Sequence, residues 1–237
     1  MALMRNILIF LLFAFLASFL LHPLFSINQD LGRHLKLGEI IWQTKSVPKT
    51  NLFSYTNPDN KFINTHWLSE LIFFGLAGVI GLKGLIVFKI IIILLSFALI
   101  FRLGQRYNFG LAIVFFLLAI GIFIERTHVR PEIFSFLIFA LFLCILMTNR
   151  RLWLLPILQM LWVNLHIYFF IGPVLFGFFF IDRVVRCRES LKRFFMSSEF
   201  RKLIAVGGLI IVALFINPNG ISGVLAPVKI AMGEYGY

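Results

Sequence analysis

The chain has 237 residues, of which 60% are hydrophobic and 14% are charged, and its formal net charge is +12. Soluble domains carry roughly a quarter charged residues, so this composition, with its long and nearly uncharged runs, excludes a water-soluble protein. The basic residues lie in short loops between apolar runs, where they indicate topology, so the net charge does not indicate nucleic-acid binding.

The apolar runs predict the membrane-spanning helices. Most approach the roughly 20 residues that cross about 30 Å of hydrocarbon at about 1.5 Å per residue. An all-α integral membrane protein is therefore expected. The apolar blocks are 6–21, 67–81, 84–101, 109–124, 131–148, 152–165, 167–181 and 203–216.

The basic residues decide which blocks cross. If every block spans and the N-terminus is cytoplasmic, the strongly basic loop 183–202 falls outside, against the positive-inside rule. Block 67–81 is short, contains Glu70 and is interrupted by glycines, so we predict that it lies at the membrane interface. Every later basic loop then becomes cytoplasmic. The break at Asn164–His166 keeps 152–165 and 167–181 as two short helices.

The resulting prediction is a single module of about seven transmembrane helices with a cytoplasmic N-terminus, in a cell membrane such as the bacterial inner membrane. Block 6–21 is the first span, without a signal-peptide cleavage site. The outer loop 22–83 carries two interfacial amphipathic helices. Spans two to seven occupy 84–216, and 217–237 forms an outer tail.

This topology gathers most ionisable residues on the extracytoplasmic side. They include every histidine and seven carboxylates. Only Lys and Arg entered the topology argument, so this clustering is a separate observation, and the outer side is where chemistry is expected. These residues are His22, His34, His66, His128, His166, Asp30, Glu39, Asp59, Glu70, Glu125, Glu132 and Glu234.

The first outer helix is predicted to begin near Asn28, its N-cap, with Asp30 in the first turn. Asp30 and His34 are four residues apart and fall within the apolar arc that also contains Trp42. A carboxylate and an imidazole there need partners or a water-filled cavity. The alternative is that Asp30 supports the helix start and His34 fills the interface.

The second outer helix begins with His66 and Glu70 on one face at i, i+4. That spacing suits a metal or, equally, a structural hydrogen bond.

The loop between two later spans places Arg126, His128, Arg130 and Glu132 close together, with Pro131 suited to a helix start. The two guanidinium groups could hold a phosphate, or the loop could be solvated with internal ion pairs.

Two more outer segments carry polar residues. Trp162, Asn164 and His166 join two short helices, and the amide and imidazole should point into the protein because lipid would not solvate them. Asn217–Gly220 is typical of a turn that stops the last span.

The order of these elements resembles the GT-C superfamily of membrane glycosyltransferases, which includes protein mannosyltransferases and aminoarabinose transferases. The resemblance rests on four segments over about residues 6–220. They are Asp30-Leu-Gly-Arg-His34, His66-Trp-Leu-Ser-Glu70, Arg130-Pro-Glu132 and Trp162-Val-Asn164-Leu-His166.

The resemblance implies an enzyme that transfers a sugar from a polyprenyl-phosphate carrier to an extracytoplasmic acceptor. Asp30 would be the general base, with His34, His66 and Glu70 as its neighbours. Arg126 and Arg130 would stabilise the departing lipid phosphate. His128, Glu132, Trp162, Asn164 and His166 would line the substrate site. An apolar groove would hold the prenyl tail.

The chain departs from the family in two ways. Asp30 is not followed by a second acid, so the metal site of some members is not visible, and a divalent cation stays open as a cofactor. Family members continue beyond this length, so a fragment or minimal module is expected. A multi-pass transporter and a non-catalytic membrane subunit are the alternative functions; no internal repeat supports the transporter.

Overall fold

The computed structural model describes residues 2–21, 30–54, 61–123 and 128–233. Within these ranges the secondary structure is helical apart from one isolated antiparallel bridge, Thr50–Lys61. The all-α prediction is therefore confirmed. The α-helices are α1 (Ala2–Leu20), α2 (Leu31–Thr44), α3 (Trp67–Gly104), α4 (Phe109–Phe123), α5 (Glu132–Thr148), α6 (Leu154–Leu165), α7 (Ile171–Arg186), α8 (Leu191–Phe195), α9 (Ser198–Leu214) and α10 (Gly220–Ala231), with 3₁₀ turns at Ile167–Phe170 and Arg188–Ser190.

Three helical stretches are long and apolar enough to cross a membrane: Leu3–Leu20, Trp67–Gly104 and Ile167–Arg186. Shorter apolar helices are α4, α5, α6 and α10. Many large apolar side chains face outward, such as Phe10 (71% exposed) and Phe178 (67% exposed), as expected of a surface that meets lipid. The finer prediction of seven spans stays a prediction.

Helix α3 is interrupted at Gly81, where the sequence predicted that an interfacial helix ends. Its 38 residues would extend about 57 Å as one straight helix, far more than the hydrocarbon thickness. Gly81 adopts φ 68° and ψ 177°, a conformation essentially restricted to glycine. The backbone therefore divides α3 into an N-terminal part, 67–80, and a C-terminal part, 82–104.

The N-terminal part of α3 packs against α2, and Gly38 is the point of closest approach. A Cβ atom at Gly38 would collide with the backbone carbonyl of Glu70 and would lie 2.7 Å from Cβ of Phe74. The absence of a side chain thus lets the two backbones come together. The two helices predicted for the first outer loop form one packed hairpin.

Helix α2 buries the face that its sequence predicted, with two differences. His34 and Gly38 lie on the buried face. Trp42 was predicted on that face but is 57% exposed, with Nζ of Lys45 3.9 Å above its ring. Asp30 occupies the N-cap position without a side-chain capping bond, whereas the first turn was predicted. Asn28 lies outside the described residues.

The bridge between Thr50 and Lys61 closes the connection between the two helices of the hairpin. The backbone N–H of Phe62 donates to the carbonyl of Lys49 at 2.9 Å beside it. The segment that leaves α2 and the segment that enters α3 are therefore held together at this point.

The sequence predicted an outer tail over 217–237 and no helix within it. A turn at 217–219 ends the preceding helical stretch, as predicted, but α10 follows at once and includes Pro227. Helix α10 was not predicted because the turn was interpreted only as the end of the last span. Residues 234–237, with Glu234, lie outside the described part of the chain.

Candidate functional site

A buried carboxylate, Glu70, is the centre of the polar cluster at the start of α3. It is 1% exposed. One oxygen, Oε1, lies 3.0 Å from Nδ1 of His34 on α2, and the other, Oε2, accepts a bond of 2.6 Å from Nδ2 of Asn64. Because both oxygens are hydrogen-bonded, burial of the carboxyl group is compensated. Glu70 therefore joins α2 to the start of α3.

Asn64 organises the backbone that leads into α3. Its Oδ1 accepts from the backbone N–H of His66 at 2.9 Å, while its Nδ2 donates to Glu70. Its own carbonyl accepts from Nδ2 of Asn219 at 3.0 Å. A fully buried amide thus connects the first helix pair with the turn before α10.

Three imidazoles lie in a row beside this carboxylate. The ring centroids of His34 and His66 are 6.1 Å apart, and those of His66 and His166 are 5.1 Å apart. Burial, with the neighbouring imidazoles of His166 and His34, lowers the pKa of His66 well below its usual value. Burial likewise lowers the pKa of His166 to about 3. Both rings are therefore neutral near pH 7.

His166 is oriented by two residues from neighbouring helices. Nε1 of Trp162 donates to Oγ of Ser135 at 2.8 Å, and that oxygen lies 2.8 Å from Nδ1 of His166. The simplest proton assignment for a neutral His166 has the Ser135 hydroxyl donating to Nδ1. The Nε2 atom then carries the proton. Tyr168 packs edge-on against the ring, with centroids 4.5 Å apart.

Further bonds connect α3 to the junction of α6 and α7. Nε1 of Trp67 donates to Oδ1 of Asn164 at 2.8 Å, and Oγ of Ser69 donates to the carbonyl of Leu165 at 2.5 Å. Nδ2 of Asn164 donates to the carbonyls of Met160 and Ile216. Asn164 is 7% exposed and points into the protein, as predicted.

Asp30 and Arg130 form an ion pair at the edge of the cluster. Nη2 of Arg130 lies 3.7 Å from Oδ2 of Asp30, and the two side chains are 34% and 55% exposed. The backbone carbonyl of Asp30 accepts from the N–H of His34, which places Asp30 one helical turn before the buried histidine. Nε of Arg130 is buried without a hydrogen-bond partner among the described residues. The pair is thus accessible, and the guanidinium has donor capacity to spare.

The structure brings most of the predicted site residues to one end of the helix bundle. Three predicted segments meet: the first helix hairpin, the start of α5 and the α6–α7 junction. Glu132 is buried in the first turn of α5 behind Pro131, as predicted, and His128 lies half-buried in the preceding loop. Arg126, with Glu125 and His22, lies outside the described residues.

The predicted pairing at His66 and Glu70 takes a different form. The i, i+4 spacing suggested a metal or a direct hydrogen bond, but the carboxylate turns towards α2 and bonds His34. Oγ1 of Thr65 lies 3.3 Å from Nδ1 of His66. Among the described residues, no three His, Cys, Asp or Glu side chains are grouped to hold a metal ion.

Sequence reasoning missed the uncharged members of the cluster, Asn64, Ser69, Ser135 and Asn219. The sequence prediction was based on where ionisable residues cluster, and these uncharged side chains do not contribute to that pattern. Ser135 and Ser69 could have been found as hydroxyls in the first turns of apolar helices, where a lone polar side chain needs a partner. Searches for matching protein-family models, curated proteins and solved structures found none. A proposal about the function of this chain therefore depends on its helical fold and its polar cluster.

Proposed function

We propose that this chain is a GT-C type membrane glycosyltransferase that moves a sugar from a polyprenyl-phosphate carrier to an acceptor outside the cytoplasm. The observation that carries the proposal is the accessible Asp30–Arg130 pair beside the buried cluster of His34, Glu70, His66 and His166. A carboxylate next to a guanidinium supplies the base and the phosphate-binding group that such a transfer needs.

Asp30 is the proposed general base. Its side chain is 55% exposed, so an acceptor hydroxyl can approach it. The buried bond between His34 and Glu70 holds the α2 turn that carries Asp30, which keeps the base in place.

Arg130 is the proposed phosphate-binding residue. When the sugar leaves its carrier, negative charge develops on the lipid phosphate, and a guanidinium stabilises that charge. The unpartnered Nε and the long 3.7 Å contact with Asp30 leave donors for phosphate oxygens. Substrate binding would then separate the pair and release the base.

An apolar cavity of about 610 Å³ supports binding of a prenyl chain. It lies between the C-terminal part of α3, α4 and α5. Its outer end includes Phe123 and Phe136, and Phe136 follows Glu132 by one helical turn. An isoprenoid lying there would have its phosphate directed towards the start of α5, where Arg130 is found.

The test is sugar transfer by membranes containing the chain, supplied with a panel of radiolabelled polyprenyl-phosphate sugars. Asp30→Asn should lower transfer at least about 100-fold, because the general base is lost. Glu39→Gln is the matched control: Glu39 is a carboxylate on the opposite face of α2, bonded to Lys36 and Gln43. Normal transfer by Asp30→Asn, or equal losses in both variants, would overturn the proposal.

A further inference from the structure

A second cavity lies at the other end of the bundle, far along α3 from the polar cluster. It has a volume of about 400 Å³, within the range of small-molecule sites, and opens between α3, α5 and α6. Its walls are apolar and include Leu99, Leu103, Leu141 and Ile145. The cavity is therefore suited to hydrocarbon and is separate from the proposed active site.

Four arginines surround this cavity. Arg102 comes from the last turn of α3 and Arg106 from the turn that follows this helix, while Arg150 and Arg151 come from the connection between α5 and α6. All four are exposed, and none forms a salt bridge with a described residue. Positive charge at the rim is thus uncompensated by nearby carboxylates.

The turn between α5 and α6 has an unusual backbone that places two of these arginines together. Asn149 and Arg151 adopt positive φ values of 51° and 57°. Such conformations are uncommon for residues other than glycine. The chain reverses tightly here, so Arg150 and Arg151 both border the cavity opposite Arg102 and Arg106.

We propose that this cavity, which we call the basic cleft, is a binding site for an anionic phospholipid. Its acyl chain lies between the apolar walls, and its headgroup phosphate is held by Arg102, Arg106, Arg150 and Arg151. Guanidinium groups bind phosphate oxygens through paired N–H donors, and basic pockets between transmembrane helices accept phospholipid headgroups. A headgroup with two phosphates matches four guanidiniums best.

If the arginines served only to keep their loops on the cytoplasmic side, they would not need to lie around a cavity. The positive-inside rule depends on how many Lys and Arg residues a loop contains, whatever their position around a cavity. The loop after α7 offers the comparison, since exposed Arg188 and Arg193 there do not border the basic cleft. The proposal therefore predicts that the two groups of arginines behave differently.

The experiment measures lipid binding to the purified chain in detergent by native mass spectrometry. The probes are phosphatidylglycerol, cardiolipin and zwitterionic phosphatidylcholine. Arg106→Gln with Arg150→Gln should weaken cardiolipin binding about 30-fold, given the usual contribution of each basic residue near anionic lipid. Arg188→Gln with Arg193→Gln removes the same charge and should change binding less than about threefold. Elution as a single species and an unchanged melting temperature confirm that each variant is folded.

A second variant tests the apolar part of the site. Ile145→Trp fills the basic cleft from α5 without changing charge, and should weaken binding of both anionic lipids. Equal losses in the two arginine pairs would overturn the proposal, because net charge would then explain binding. Equal binding of phosphatidylcholine, or full displacement of cardiolipin by inorganic pyrophosphate at equal concentration, would also overturn it.

Discussion

Nδ1 of His34 and Oε1 of Glu70 lie 3.0 Å apart although 36 residues separate them in the chain. This buried contact links α2 to α3, and Asn64 completes the bonding of the carboxylate. Both partners, His34 and Asn64, are buried, so neither can turn to solvent if the carboxylate is removed.

Glu70→Ala should therefore lower the free energy of unfolding by about 3–5 kcal/mol, because it leaves two buried polar partners unsatisfied. Glu70→Gln should cost less, since one amide oxygen remains as an acceptor. Denaturant unfolding in detergent micelles measures both. Glu39→Ala, which removes an exposed ion pair with Lys36, should lower the free energy of unfolding far less than Glu70→Ala does. Similar losses at positions 70 and 39 would show that the buried contact is unimportant.

Gly38 tests the packing of the helix hairpin. Gly38→Ala introduces a Cβ against the backbone of Glu70 and Cβ of Phe74, so it should destabilise the chain by about 1–3 kcal/mol. Gly32→Ala is the matched control on the same helix, because nothing lies within 4 Å of a Cβ there. It should be neutral or slightly stabilising, since alanine favours helix. Gly38→Ala should lower the melting temperature, whereas Gly32→Ala should leave it unchanged or raise it slightly.

The break at Gly81 gives a third prediction. Gly81→Ala meets no other atoms but forces a side chain into a glycine conformation, which costs about 1–3 kcal/mol. Gly78→Ala lies in regular helix with open space around it and should be tolerated. Thermal unfolding compares them. Equal stability of the two variants would mean that α3 can run straight through residue 81.

Acid should destabilise the chain through His166. Its folded pKa is about 3, below the ordinary value of 6.5. As the pH falls below about 6.5, the unfolded chain binds a proton that the folded chain refuses, so stability is full above that pH and is lost progressively towards about pH 3.

Between about pH 7 and about pH 4.5 this group alone should cost about 2–3 kcal/mol. Unfolding measured at both values should show a smaller loss in His166→Gln, which keeps an acceptor for Ser135 but does not titrate. An identical pH dependence in parent and variant would contradict the assignment of a neutral, buried His166.

The predicted topology can be tested through the native thiol at Cys187, which lies at the end of α7 in the basic region. An impermeant thiol reagent should not label it in intact cells and should label it once the membrane is opened. Thr44→Cys in a Cys187→Ser background is the control, because residue 44 is exposed on the predicted outer side. It should react in intact cells. Labelling of Cys187 without permeabilisation would reverse the assigned sides.

The sequence was sufficient for features that leave a strong local signal. Glycines indicated the break at residue 81, and the Asn164–His166 step indicated two short helices, because polar groups cannot face lipid there. The apolar arc of α2 placed His34 on the buried face. These features depend on neighbouring residues, which a sequence displays directly.

The partners within the cluster could not be predicted in the same way. Glu70 could have bonded His66 one turn away, but the close approach at Gly38 brought His34 within reach instead. Asn64 carries no charge and follows no periodicity, so nothing in the sequence marked it. The lone hydroxyl of Ser135 in an apolar helix indicated that it needs a partner, but not which one. Helix α10 was not predicted because the asparagine-rich turn before it was interpreted only as the stop of the last span.

The bridge between Thr50 and Lys61 joins the segment that leaves α2 to the segment that enters α3. The two ends of the stretch between these residues are held at a fixed, short separation, so the stretch can change length with little effect on how α2 rests against α3. An epitope inserted after Asn57 would then report which side of the membrane it occupies while leaving the polar cluster undisturbed.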